Sequence, residues 1–279
     1  MTDLLWIVQD NLHREPGYDL VLETFARFSI PFVLVKVVPF SHETIPHIDA
    51  AGPKVVLGSY TLAKLAHAAG WTPGAWISRN FDYDVLLRSP WAHRLLNHDG
   101  IVTTIRDMTF KEIWNMFGEW MTWVFVRPAL DSKSFAGQCM HFSDLREWQK
   151  DIEAIHGDPS NPTVTLDTKV VLAPLKPIYR EVRFWIVKDS IVTASQYKRG
   201  TRVIHEPVTQ GSDPRLWTFV GSLTARISVD FWSPADAYVL DVAETPDGFK
   251  IVEVQNLNSS GYYAADVQTL VLTINGAFG

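Results

Sequence analysis

Tyr238-Val239-Leu240-Asp241-Val242-Ala243-Glu244 and Phe249-Lys250-Ile251-Val252-Glu253-Val254, separated by Thr245-Pro246-Asp247-Gly248, read as two antiparallel strands across a tight turn. Each strand carries one carboxylate, Asp241 or Glu253, flanked by apolar residues. Gln255, Asn256 and Asn258 follow at once. Hard divalent cations take oxygen ligands, so two carboxylates on neighbouring strands followed by amides suit magnesium. Side chains alternate along a strand, so one residue of register decides whether the two acids share a face. A bulge near the Thr245–Gly248 turn places Asp241 opposite Glu253. Without it they point to opposite faces, as two ordinary acids on a sheet.

Working outward, several other segments carry groups suited to phosphate chemistry. Trp123–Val126 reads as a strand ending at Arg127-Pro128, and Lys133 follows in a polar loop. Arg grips phosphate oxygens bidentately and Lys acts as a point charge. Lys169–Leu172 is an apolar strand that breaks at Ala173-Pro174-Leu175. Tyr179–Val187 is a strand with Glu181 and Arg183 on one face and Phe184 and Ile186 on the other. A cleft-facing Arg183 would stabilise developing charge, whereas on a surface strand it would simply pair with Glu181. Ser195-Gln196-Tyr197-Lys198-Arg199 gives the next strand a polar, cationic end.

The rest of the chain bounds the reading. With 279 residues, 47% hydrophobic and 20% charged, it is long and apolar enough for one large or two modest globular domains. The net charge of −6 offers no basic field for nucleic acid, which is not an expected partner. One cysteine, Cys139, excludes an internal disulfide framework and fits a reducing, cytoplasmic setting. No apolar run is long enough to span a bilayer. Met1–Val8 reads as a first strand rather than a signal peptide, so the Asn258-Ser259-Ser260 sequon is discounted. The nine histidines show no H-E-x-x-H spacing, and zinc is not expected.

The first ~90 residues alternate strands (Leu4–Gln9, Pro31–Val38, Lys54–Leu57) with helices (Tyr18–Phe28, Tyr60–Ala69), which suggests a small parallel α/β layer. Leu20, Val21, Phe25 and Phe28 are placed on one face of the first helix. G-x-G-x-x-G and Walker A loops are both missing. Beyond residue 100 the pattern becomes strand-rich, with Asp213–Arg226 undecided.

Taken in order, Arg127-Pro128 to Lys133-Ser134-Phe135-Ala136-Gly137, Glu181-x-Arg183-Phe184, Ser195-Gln196-Tyr197, and Glu253-Val254 leading to Ser260-Gly261-Tyr262-Tyr263 resemble the ATP-grasp superfamily. They are most similar to a compact, phage-associated clade of it. The resemblance implies an α/β N-terminal domain (1–100) followed by an α+β ATP-grasp domain (101–279) whose antiparallel sheets enclose a nucleotide cleft. It implies an ATP- and magnesium-dependent ligase joining a small-molecule or peptide carboxylate to an amine through an acyl phosphate. A non-catalytic nucleotide-binding or protein-interaction module that kept the fold is the alternative. By the same resemblance Asp241, Glu253 and Gln255 or Asn256 would hold magnesium. Arg127, Lys133 and Lys169 would contact nucleotide, Ala173 and Leu175 would frame adenine, and Arg183 and Lys133 would act in catalysis beside Glu181. The 198–215 segment would close over the site. One departure stands out: the family's usual ending is Glu-x-Asn, and here Gln255 occupies the Asn position.

Overall fold

The computed structural model describes residues 4–10, 15–38, 44–49, 51–118, 122–131, 134–155, 164–226 and 231–279. In chain order the elements begin with β1 (Leu5–Gln9), α1 (Tyr18–Phe28), β2 (Phe32–Val37), β3 (Thr44–Ile45), β4 (Lys54–Leu57), α2 (Tyr60–Ala68) and β5 (Pro73–Gly74). Then come α3 (Tyr83–Leu86), β6 (Ile101–Thr104), α4 (Phe110–Phe117), β7 (Trp123–Pro128), β8 (Gln138–His141), α5 (Phe142–Ala154) and β9 (Lys169–Pro174). The chain ends with β10 (Arg180–Val187), β11 (Ser190–Arg199), β12 (Arg202–Pro207), α6 (Pro214–Thr224), β13 (Ala237–Thr245), β14 (Gly248–Gln255) and α7 (Val267–Phe278). An α/β N-terminal sheet thus precedes antiparallel sheets, as the sequence pattern implies.

Chain contacts form two compact units, Met1–Ser78 with Ile178–Gly279, and Arg79–Pro177. The division near residue 100 describes order along the chain and remains a proposal.

The first unit holds two sheets. One has strand order β3-β2-β1-β4-β5, parallel except where β3 pairs antiparallel with β2. The other is antiparallel, ordered β12-β11-β10-β13-β14. Tyr18, Val21 and Phe25 of α1, Leu270, Val271 and Ile274 of α7, and Trp185, Val187, Ala237 and Val239 of the antiparallel sheet share one core. Fully burying a Phe or Leu side chain stabilises by roughly 1.5–3 kcal/mol. Leu20 and Phe28, expected on the buried face of α1, are instead 51% and 40% exposed. Tyr18, Val21, Thr24 and Phe25 form the buried stripe, so the apolar arc is rotated from the one the spacing suggests.

The other face of the antiparallel sheet lies against α6, where Phe184 meets Trp217 at 5.9 Å between ring centroids. The undecided 213–226 stretch is this helix. Asp213 caps it by accepting from Leu216 N at 3.1 Å, and Pro214 opens it. Within the 198–215 segment, Arg202–Pro207 is a regular edge strand, β12, paired with β11. The second unit is a four-stranded sheet, β6-β9-β7-β8. Its core joins Val124, Val126, Val170 and Leu172 to Leu145 and Ile152 of α5. The helix expected over Val85–Leu96 is broken at Pro90 into α3 and a 3-10 turn, Ala92–Arg94.

Candidate active site

The site lies on β10, β11, β13 and β14, all in the first unit. On β10, Trp185 and Val187 are buried in the core, whereas Glu181 and Arg183 continue the same face as charged groups. β13 repeats the division, with Ala237 and Val239 in the core and Asp241 beyond them. One sheet face is therefore apolar at one end and polar at the other.

Asp241 pairs directly with Glu253 across the β13–β14 ladder, so the two acids share that face. The bulge that achieves this lies away from the turn. Pro246-Asp247 forms a two-residue loop closed by Gly248 at φ 96°, a backbone conformation that glycine adopts without strain. The register shift falls at Val242/Asp241, where Val252 is the extra residue between Ile251 and Glu253. Ile251 can thus enter the core while Glu253, two residues on, faces the site. A second bulge has the same effect on β11. Gln196 pairs with Val182 and Lys198 with Glu181, which leaves Tyr197 as the extra residue.

Arg183 and Asp241 are directly opposite each other and form a bidentate pair. Arg183 Nε and Nη2 donate to Asp241 Oδ1 and Oδ2, each at 2.8 Å. Nη1 donates to Gly261 O at 3.3 Å. The guanidinium also lies 5.4 Å from the Tyr197 ring and 5.1 Å from the Tyr263 ring, and those rings stack at 5.2 Å. Tyr263 reaches this position at φ 53°, uncommon for a residue with a side chain. Glu181 accepts from Tyr197 Oη at 2.8 Å and pairs with Lys198 Nζ at 2.8 Å. Tyr197 Oη also reaches Asp241 Oδ2 at 3.4 Å. Gln255 Nε2 donates to Glu253 Oε1 at 2.9 Å and to Asp241 Oδ2 at 3.1 Å.

Electrostatics follow from this geometry. Burial pushes Asp241 up to about 6, against the pull of Arg183 and with a further push from Glu253 and Glu181. Asp241 is therefore ionised at neutral pH and poised to gain from any added cation. Burial acts to lower the Arg183 pKa, but Asp241 outweighs it and the net shift is upward. Burial, then Asp241, Glu181 and Glu253, raise Tyr197 well above its ordinary value, so its hydroxyl is a donor. Tyr197→Phe removes that donor from two carboxylates. The expected cost is about 1.5–3 kcal/mol, read from urea unfolding midpoints.

Asn256 is fully buried and faces elsewhere. Its Nδ2 donates to Trp76 O at 3.3 Å and its Oδ1 accepts from Ser259 N at 3.1 Å. Lys133 lies outside the described residues. Arg127, Lys169, Ala173 and Leu175 belong to the second unit. Arg127 Nε donates to Pro128 O at 3.4 Å, and its guanidinium lies 5.5 Å from the Tyr83 ring. Lys169 Nζ is 3.9 Å from Asp84 Oδ2 with half its side chain exposed. Ala173 is buried opposite Phe125, and Leu175 is 44% exposed just after the strand. Tyr197 and Lys198 stood in the quoted sequence without a role, and Tyr263 stood only in the terminal motif. Only register and the loop fold bring them to Arg183.

Among the described residues, no group of three or more His, Cys, Asp and Glu side chains is placed to hold a metal ion. Two carboxylates and an amide are placed together, however, and all three offer hard oxygen once Gln255 presents Oε1. The donor chemistry fits magnesium rather than a soft metal.

The fold is that of ATP-grasp ligases. The chain is similar to an RimK domain ATP-grasp protein from Sphaerobacter thermophilus (18% identity, 96% of this chain and 97% of that one, TM-score 0.62). It is similar also to the D-alanine–D-alanine ligase of Bacillus anthracis (10% identity, 99% and 96% covered, TM-score 0.57). A third likeness is to the ATP-grasp ligase PsnB, solved with a minimal precursor (13% identity, 99% of each chain, TM-score 0.54). At these identities the likeness is one of fold. The family model for an ATP-grasp domain, family 3 of its clade, matches residues 47–274, and the chain belongs to that ATP-grasp family. Comparison with curated proteins finds no match. No helix among the described residues is long and apolar enough to cross a membrane.

Proposed function

We propose that this chain is an ATP- and magnesium-dependent ligase that joins a carboxylate to an amine through an acyl phosphate. The observation that carries the reading is the bulged pairing of Asp241 with Glu253, beside Gln255 and against Arg183. Asp241, Glu253 and Gln255 would hold magnesium; Asn256, committed to Trp76 and Ser259, is the weaker candidate. Bound magnesium would supply neutralising charge at the β- and γ-phosphate oxygens.

Arg183 is fixed by two bonds to Asp241 and by the Tyr197 and Tyr263 faces, so its charge is preorganised for a developing oxyanion. Arg127, Lys133 and Lys169 are assigned to the nucleotide phosphates, and Ala173 and Leu175 to adenine. In the reaction the substrate carboxylate takes the γ-phosphoryl group and ADP leaves. The amine then attacks the acyl carbon, loses a proton and displaces phosphate. Amino acids and peptides are the acceptor classes to test, by analogy with the ligases of like fold. An association with phage rests on the sequence resemblance alone.

One observation favours the second reading, a nucleotide-binding module without catalysis. The atom Gln255 presents to both carboxylates is a donor nitrogen. Calorimetry with ATP and magnesium separates the readings when joined to ADP release over amino-acid and peptide pools. The ligase reading expects binding that Glu253→Ala weakens at least tenfold, and ADP release on one pool. Unchanged affinity in Glu253→Ala would refute the metal assignment. Binding with no turnover on any pool would support the module.

A further inference from the structure

Gln255 is where this chain departs from the Glu-x-Asn ending, and its side chain is 5% exposed. Glu253 and Gln255 are two apart on β14 and so share a face, with Asp241 opposite Glu253. Like charges directly opposite on a sheet repel. Gln255 Nε2 stands between them, 2.9 Å from Glu253 Oε1 and 3.1 Å from Asp241 Oδ2. A carboxamide nitrogen carries two hydrogens, one for each acid. The opposite orientation would set the amide oxygen against two carboxylate oxygens, so the hydrogen-bond partners fix the nitrogen inward.

We propose that Gln255 holds the cation's place between Asp241 and Glu253 in the free protein, so that magnesium binds by displacing an amide. The inference rests on the metal reading above and adds a property to it. To ligate an ion through Oε1, the amide must break both bonds and turn over. Magnesium already sheds water reluctantly, and this exchange weakens its binding further. In return, the metal-free site keeps its two acids together. An Asn here would be shorter by one methylene, about 1.5 Å, and could not bridge both acids while still offering a carbonyl oxygen.

The test uses the full chain, with Mn²⁺ as probe and no nucleotide. Gln255→Asn is expected to lower the unfolding midpoint in chelator by about 2–4 °C. It should also tighten Mn²⁺ binding about tenfold in calorimetry, since the two competing bonds are gone. Gln255→Met keeps the shape without the donor and should lower the metal-free midpoint similarly. If neither variant shifts that midpoint, or if Gln255→Asn binds Mn²⁺ no more tightly than the wild type, the proposal is overturned. The metal reading fails by a different result, namely Mn²⁺ affinity unchanged in Glu253→Ala.

Discussion

Arg183→Met is expected to destabilise the protein by about 3–5 kcal/mol and to abolish ATP-dependent turnover. The Arg183 and Asp241 side chains are 9% and 2% exposed, so the pair is buried. Methionine covers a similar volume but leaves Asp241 without the two 2.8 Å bonds that keep its charge tolerable. The penalty then depends on pH. Burial raises the Asp241 pKa and Arg183 is the largest influence lowering it. Removing Arg183 lets the pKa rise further, so the folded state binds more protons than the unfolded one above about pH 4. Stability of the variant therefore falls as pH rises from about 4 through the folded pKa. Urea unfolding at pH 5 and pH 8 reads this directly, with the larger loss at pH 8. The double variant Arg183→Met with Asp241→Leu should recover most of the loss, because apolar replacement of a buried pair is often neutral. Catalysis should stay absent, which separates the role of the charge in folding from its role toward a phosphoryl group. A single variant within about 1 kcal/mol of wild type at pH 8 would show that the pair is not what holds the sheet face together.

How much of this was legible in the sequence depended on the range of the interaction. Glu181 and Arg183 share a strand, so the two-residue period alone placed them on one face. Asp241 and Glu253 needed one residue of register. The hairpin pattern required a bulge somewhere but could not place it at Val252, because every residue from Ile251 to Val254 suits a strand. Tyr197 is the clearest loss. Its phenol reaches Glu181 and Asp241 only because it is the extra residue of a bulge, and nothing local marks it. Tyr263 depends on a loop residue in a left-handed conformation, which a tyrosine does not signal. The α6 start was readable, since Asp213-Pro214 is an N-cap followed by an N1 proline. The short strands β3 and β5, two residues each, carry no period to detect.

Asn258→Ala is expected to cost about 3–4 kcal/mol, although Asn258 belongs to no motif that pointed to chemistry. It is 1% exposed. Its Oδ1 accepts from Trp76 N at 2.9 Å, and its Nδ2 donates to Val56 O at 2.7 Å and to Gly74 O at 3.4 Å. Its own carbonyl accepts from Gly58 N at 3.0 Å. One side chain thus ties the turn after β14 to three backbone groups at the parallel sheet. Alanine strips the partner from each at once, and a buried polar group left unpaired costs about 1–3 kcal/mol. Asn258→Asp tests the direction of those bonds. It keeps an acceptor for Trp76 but turns an acceptor toward two carbonyl oxygens, so it should be at least as damaging as alanine. The same burial gives an independent reason why the Asn258-Ser259-Ser260 sequon is no glycosylation site in the folded protein. Gln255 lies three residues upstream, so loosening this anchor should also weaken magnesium–ATP binding several-fold. Urea unfolding and calorimetry on both variants measure the two effects. Should Asn258→Asp match the wild type in stability, the amide nitrogen is not donating to Val56 and Gly74, and the anchor as described does not exist.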